Sequence, residues 1–160
     1  MRVTDKHVFF WGSEFSNFYP CKFTVNEIEF NCSEQYFMWR KAKYFNDDES
    51  AEKILKASRP EEQKKLGRNV KNFDNVKWEK EREDAMYQGV YNKFSQNPEL
   101  KKLLLKYPNH KFVEASPYDR IWGIGMREDA FGVTNEDNWL GLNLLGKIIS
   151  QVRDELKNEQ

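Results

Sequence analysis

Three acids in this chain stand beside aromatic or glycine-rich positions: Glu34, Glu114 and Asp119. Paired carboxylates suit hydrolysis through an oxocarbenium-like transition state, where one orients a water and the other stabilises positive charge on a sugar. Lys41, Arg68 and Arg82 are the cations available to hold a phosphate beside such a centre. Other catalytic patterns are missing. The chain has no P-loop, no GxGxxG after a strand and no Ser-His-Asp signature. His7 and His110 are the only histidines, and no pattern supports either as a base. Charged residues make up 32% of the chain, so most of them simply face water.

The stretch Val113 to Gly125 is the natural organiser of this chemistry. A β-type run, Phe112 to Ala115, feeds Ser116-Pro117, where proline fixes φ and pushes its neighbour away from helix. Asp119 and Trp122 follow at a spacing of three, and Gly123 and Gly125 close the segment. No regular period survives that combination. An acid, an aromatic plate and permissive glycines suit a pocket wall against which a ligand lies close to backbone. The same residues also fit a surface loop whose Trp122 packs into the core.

The elements that must position these groups come next. Ser33 is expected to N-cap a helix from Glu34 to about Phe45. Glu34 and Lys41 share one face of it, roughly 10 Å apart along the axis at 1.5 Å per residue. That separation is too long for an ion pair and suits gripping two ends of one ligand. A helix-start acid favoured by the dipole, with a solvated lysine, is the alternative. Ser50 to Ala57 reads as a short helix, and Ser58-Arg59-Pro60-Glu61 as a capping box opening another that stops at Gly67, just before Arg68. The longest helix, Val76 to Phe94, is capped by Asp74 or Asn75 and turns Trp78, Arg82, Ala85, Met86, Gly89, Val90 and Phe94 inward. Arg82 on that apolar stripe either snorkels outward or meets an anion in a cleft.

The rest of the chain supplies the frame. His7 to Trp11 is β-type. Lys22–Val25 and Ile28–Asn31 alternate around Asn26-Glu27 as a two-residue hairpin, with Phe23, Val25, Ile28 and Phe30 on one face. A helix follows Asn97-Pro98, and Arg127 to Asn135 is a polar loop with the character of a lid. The last helix carries the stripe Leu144, Leu145, Ile148, Ile149, Val152 and Leu156.

Bulk properties narrow the partners. The 160 residues fit one domain able to bury its own core. Lys+Arg and Asp+Glu are both 26, so net charge is zero, which argues against broad electrostatic capture of nucleic acid or membrane. Aromatic content is 15%, with five Trp and twelve Phe, enough that some rings are candidates to stack on a flat ligand. Cys21 and Cys32 lack partners at metal-ligand spacing, so they read as reduced thiols. No apolar run approaches a membrane span, and the first residues carry no signal-peptide pattern, so a cytoplasmic location is expected.

Eight blocks in register make the chain resemble the NADAR (YbiA-like) family. They are Phe15-Ser16-Asn17-Phe18; Ser33-Glu34-Gln35-Tyr36-Phe37 with Lys41; Gly67-Arg68; Trp78 with Met86; Lys93-Phe94; Leu103-Leu104-Leu105; Val113-Glu114 with Asp119, Trp122 and Gly123; and Asn143-Leu144-Leu145-Gly146. The resemblance implies a helix-rich α+β fold: a single compact domain over residues 1–160, with a small sheet and hairpin packed on several helices. It implies hydrolysis of N-glycosidic bonds to ribose without a cofactor or metal. The substrates would be phosphoribosylamine intermediates of riboflavin synthesis or ADP-ribose on a nucleobase, including guanine in DNA. A non-catalytic module binding ADP-ribose or NAD is the alternative. Glu34 and Asp119 would be the catalytic acids and Trp122 would pack against ribose or base, with Lys41, Asn17 and Arg68 near ribose or phosphate oxygens. Phe18, Trp78, Arg82, Glu114, Gly123 and Asn143 complete the implied substrate site. Two positions depart from the family pattern: Gln35 stands where relatives commonly carry histidine, and Ile124 where some carry an acid.

Overall fold

The computed structural model describes residues 1–159. In chain order the elements are β1 (Arg2–Val3), β2 (His7–Phe10), β3 (Phe23–Val25), β4 (Ile28–Phe30), α1 (Ser33–Tyr44), α2 (Asp48–Lys56), α3 (Pro60–Arg68), α4 (Asn75–Gln96), α5 (Pro98–Leu105), β5 (Lys111–Glu114), a 3-10 turn (Glu136–Asn138) and α6 (Leu144–Asn158). This is the expected helix-rich α+β class. The chain gathers into two compact units, one of Asn17–Pro98 and one of Met1–Ser16 with the described chain from Glu99 onward.

The Asn17–Pro98 unit is built around α1, which packs against α2, α3, α4 and β4. Asn26 and Glu27 both take positive φ, 49° and 68°, the geometry a two-residue turn needs to match strand twist. The hairpin therefore pairs Phe23 with Phe30 and Val25 with Ile28. Period-two alternation puts those side chains on one face, where Tyr36, Trp39 and Leu55 cover them. The Phe30 ring meets Tyr36 edge-on at 5.0 Å and Trp39 at 5.4 Å.

Sharp corners hold the helices of this unit together. After α1, Asn46 enters the left-handed region at φ 57°. Asn46 N–H then donates to Lys43 O and Asp47 N–H to Ala42 O, the paired bonds that close a helix C-terminus. Asp47 immediately caps α2: its carboxylate accepts from Ser50 N (3.1 Å), Ser50 Oγ (2.6 Å) and Lys71 N (2.9 Å). Those donors hold the carboxyl down at about 2, from an ordinary 3.8. Two buried amides brace the other end of α2. Gln35 donates to the carbonyls of Ile54, Leu55 and Ala57, and Gln63 donates to Ala57 O and to Asn31 Oδ1. Orphan carbonyls at a helix end need such partners once they are buried.

In the other unit β2 lies between antiparallel β1 and parallel β5, with His7 opposite Lys111 and Phe10 opposite Glu114. All four residues of β2 are buried. Strand β5 packs on α6, whose stripe Leu145, Ile148, Ile149, Val152 and Leu156 is buried. Arg153 joins that buried face and donates to the carbonyls of Tyr107 and His110.

Several boundaries differ from the sequence expectation, each for a local reason. Cys32, not Ser33, is the N-cap residue of α1, because the Ser33 hydroxyl turns to Asn17 Oδ1 at 2.9 Å. Helix α2 begins at Asp48 because Asp47 is the stronger cap. Arg59 is the N-cap residue of α3, with Pro60 in the first turn, and Ser58 stands outside. Gly67 does not stop α3, which runs on through Arg68. Its role is close approach, since a Cβ there would fall inside the Met38 thioether on α1. The Arg127–Asn135 loop is anchored, with Val133 buried against Phe9, Val113, Ala115 and Ile124, and Trp139 Nε1 donating to Val133 O at 2.7 Å. Among the described residues no helix is long and apolar enough to cross a membrane.

Removing the Asp47 carboxylate with Asp47→Ala is expected to cost about 1–2 kcal/mol as a lost helix cap, read as a shift in urea midpoint. Because its folded pKa is depressed, the carboxylate's contribution is full above pH 3.8 and fades as pH falls toward about 2. The difference between wild type and Asp47→Ala therefore narrows across that acidic window.

Candidate active site

In the Asn17–Pro98 unit the first turn of α1 carries the acid. Glu34 is only 7% exposed, and its backbone N–H donates to Asn17 O at 3.0 Å. Asn17 is held by the Ser33 hydroxyl on Oδ1, and its own Nδ2 donates to Met86 Sδ on α4 at 3.4 Å. The aromatic-rich loop thereby reaches the start of α1 through backbone and side chain at once. The helix dipole favours a negative group at that position.

Two turns on, Lys41 is half-buried, with Nζ 4.6 Å from the centre of the Phe73 ring. Burial pulls its pKa down, Arg68 pulls the same way, and Glu34 raises it. Lys41 thus feels both the Glu34 carboxylate on α1 and the Arg68 guanidinium at the end of α3. Arg68, the last residue of α3, is exposed. Phe18 has Lys64 Nζ 5.7 Å from its ring. Trp78 closes an aromatic cluster with Phe37, Tyr44 and Phe45, and Arg82 lies half-buried on α4.

In the other unit Asp119 organises the loop after β5. Its Oδ1 accepts from Ile121 N at 2.9 Å and Trp122 N at 2.8 Å. One carboxylate oxygen thus fixes the turn. The loop's backbone is bonded throughout: Ile124 N to Glu114 O, Gly125 N to Asp119 O, Leu142 N to Arg120 O, Asn143 N to Gly123 O and Leu145 N to Trp122 O. Gly123 is needed because a Cβ there would lie 2.9 Å from Glu114 O and 3.0 Å from Asp119 O. Gly141 faces the same constraint from the other strand of backbone, against Gly123 O and Arg120.

Asn143 links this loop to the sheet. It sits in the left-handed region at φ 53°, and its buried amide accepts from Glu114 N (3.0 Å) and donates to Phe112 O (3.0 Å). A side chain here does what a neighbouring strand would do for β5. Both of the amide's oriented bonds are committed to backbone, and Glu114 is held through its main chain.

The two departures from the family pattern are structural in this chain. Gln35 spends its side chain on the backbone of residues 31, 54, 55 and 57. Ile124 is fully buried with Phe9 and Val113. Two residues absent from the expected site stand out. Phe73 seats the Lys41 ammonium, and nothing in spacing marks it among the chain's twelve Phe. Lys93 is 1% exposed beside the Phe94 and Tyr19 rings, and its place three residues after Val90 on the apolar stripe was the signal.

Comparison with known proteins follows the same residues. The family model described as NADAR domain matches residues 9–157. N-glycosidase R617 of Acanthamoeba polyphaga mimivirus is 41% identical over 165 residues, covering 95% of this chain and 97% of that protein. Protein irg-1 of Caenorhabditis elegans is 40% identical over 162 residues, covering 91% and 76% respectively. The NMR structure of Escherichia coli YbiA superposes with a TM-score of 0.80 at 29% identity, over 99% of this chain and 89% of that one.

Asn143→Ala leaves Glu114 N and Phe112 O without their partner and places a Cβ-only residue at positive φ. A loss of about 2–4 kcal/mol in denaturant unfolding is expected.

Proposed function

The chain belongs to the NADAR domain family, and from that premise we propose that it is an N-glycosidase that hydrolyses the bond between a ribosyl carbon and a nucleobase-type amine. The ribosyl group carries phosphate, as ribosyl phosphate or as ADP-ribose. Residues 1–160 form the one catalytic domain, acting in the cytoplasm, where its two free cysteines stay reduced. One observation carries the reading: a nearly buried acid, Glu34, lies two turns before half-buried Lys41 on α1, and Lys41 feels both Glu34 and the Arg68 guanidinium. An anionic sugar phosphate matches the two cations, and the acid acts on the sugar.

The chemistry follows from those groups. The C1′–N bond breaks with its electron pair passing to the amine nitrogen, and positive charge develops on C1′ and the ring oxygen. Glu34 and Asp119 are the two acids, stabilising that charge and taking a proton from the attacking water. The water oxygen bonds to C1′, and its proton leaves with the amine. Lys41, Arg68 and Asn17 bind phosphate or ribose oxygens, and Trp122 packs against ribose or base, with Phe18, Trp78, Arg82, Glu114, Gly123 and Asn143 shaping the surroundings. No cofactor is required by this scheme. The similarity in sequence to a protein named N-glycosidase supports the reaction class. The substrates to try are guanine-ADP-ribosylated DNA and the phosphoribosylamine of riboflavin synthesis.

Purified protein is incubated with each, and free ADP-ribose or ribose phosphate is read by mass spectrometry. Glu34→Gln is expected to lower kcat by about 100-fold or more while leaving ligand affinity within a few-fold, since it removes an interaction made in the transition state. Near-normal turnover by that variant sinks the assignment. Saturable binding of ADP-ribose that is recovered intact, with neither substrate cleaved, identifies a binding module instead.

A further inference from the structure

Beside the acid of the 116–125 loop lies an aromatic feature that the proposed chemistry does not use. Tyr118, directly before Asp119, is 87% exposed, and Trp11, directly after β2, is 48% exposed. Their rings touch at 5.8 Å between centroids, tilted by 57°. Neither ring lies in the core, and exposed rings in mutual contact, rather than scattered singly, are the kind of surface that marks a ligand site. The backbone beneath Tyr118 is fixed rather than loose. Pro117 sets the preceding φ, Tyr118 N donates to Ser116 Oγ at 3.3 Å, and Asp119 Oδ1 locks the following turn.

We propose that Trp11 and Tyr118 form a stacking platform for the flat heterocycle that the reaction releases. This rests on the N-glycosidase reading and deepens it, by naming residues that hold the leaving amine rather than the sugar. The tilt is too large for a parallel-sided slot, so the heterocycle lies on Tyr118, the more exposed ring, with Trp11 beside it. Stacking fits the charge of this chain. With 26 basic and 26 acidic residues it has no net basic excess for broad capture of nucleic acid, whereas a π-face grips any base independently of sequence. Tyr118 directly precedes Asp119 on one fixed turn, so the platform and the proposed acid share a single backbone frame.

The heterocycle can be a base in single-stranded DNA or part of a free metabolite, and kinetics separate them. Tyr118→Ala and Tyr118→Trp are assayed on guanine-ADP-ribosylated oligonucleotide and on the free phosphoribosylamine. On whichever source the platform serves, Tyr118→Ala raises KM about 10-fold with kcat within about twofold, and Tyr118→Trp restores it. Unchanged KM on both, or a loss carried in kcat alone, overturns the platform. A binding arm separates this from failure of the hydrolase reading. In the Glu34→Gln background, 2′-deoxyguanosine monophosphate is titrated by calorimetry into protein with and without Tyr118→Ala. A roughly 10-fold weaker dissociation constant on losing Tyr118 supports the platform even if no substrate turns over. Equal binding, or none in either protein, overturns it.

Discussion

A segment interrupted by proline and glycine can be buried only if its backbone groups find partners, and in this chain one side chain makes that possible. The Asn143 amide bonds Glu114 N and Phe112 O, so the free edge of β5 is satisfied where no strand lies. Its own N–H meets Gly123 O, which ties the same residue to the loop that bears Asp119. The left-handed φ of Asn143 turns the chain directly into α6, whose apolar face covers β5. Remove the amide and three things lose their reference at once: the end of the sheet, the turn of the loop and the start of the helix.

The other unit solves a related problem with a different device. Glu34 is nearly buried, yet it sits where four helix N–H groups lack intrahelical partners and the dipole favours negative charge. Its neighbours are polar: the Ser33 hydroxyl donates to Asn17 Oδ1, and Asn17 Nδ2 donates to Met86 Sδ. Seven residues later Lys41 is half-buried against Phe73, at some cost to its charged form.

Much of this was legible in sequence where local rules govern. Period-two alternation around Asn26-Glu27 gave the hairpin and its buried face, and the Leu145-to-Leu156 stripe gave α6. The acids stood out because aromatic and glycine residues flank them. What escaped notice depends on contacts distant in sequence. The parallel pairing of β2 with β5 joins His7 to Lys111, and no short-range pattern encodes it. The burial of Lys93 and Arg153 runs against their residue types and follows only from their helical phase. Gln35 and Gln63 look like ordinary polar helix residues until α2 is packed above them. Caps shifted by a residue for a simpler reason: several Ser and Asp stand near each helix start, and the strongest acceptor in reach decides.

The bonding pattern of the 116–125 loop separates two kinds of position. Residues 122 to 125 are fixed by backbone bonds and by the lack of room at Gly123, whereas the side chains of Tyr118, Arg120 and Ile121 face solvent on the same frame. Natural variation at those outward sites leaves the acid's geometry untouched. The loop thus pairs a rigid inner backbone, tied to residues 140 to 145, with an outer rim whose side chains can be exchanged without disturbing those bonds.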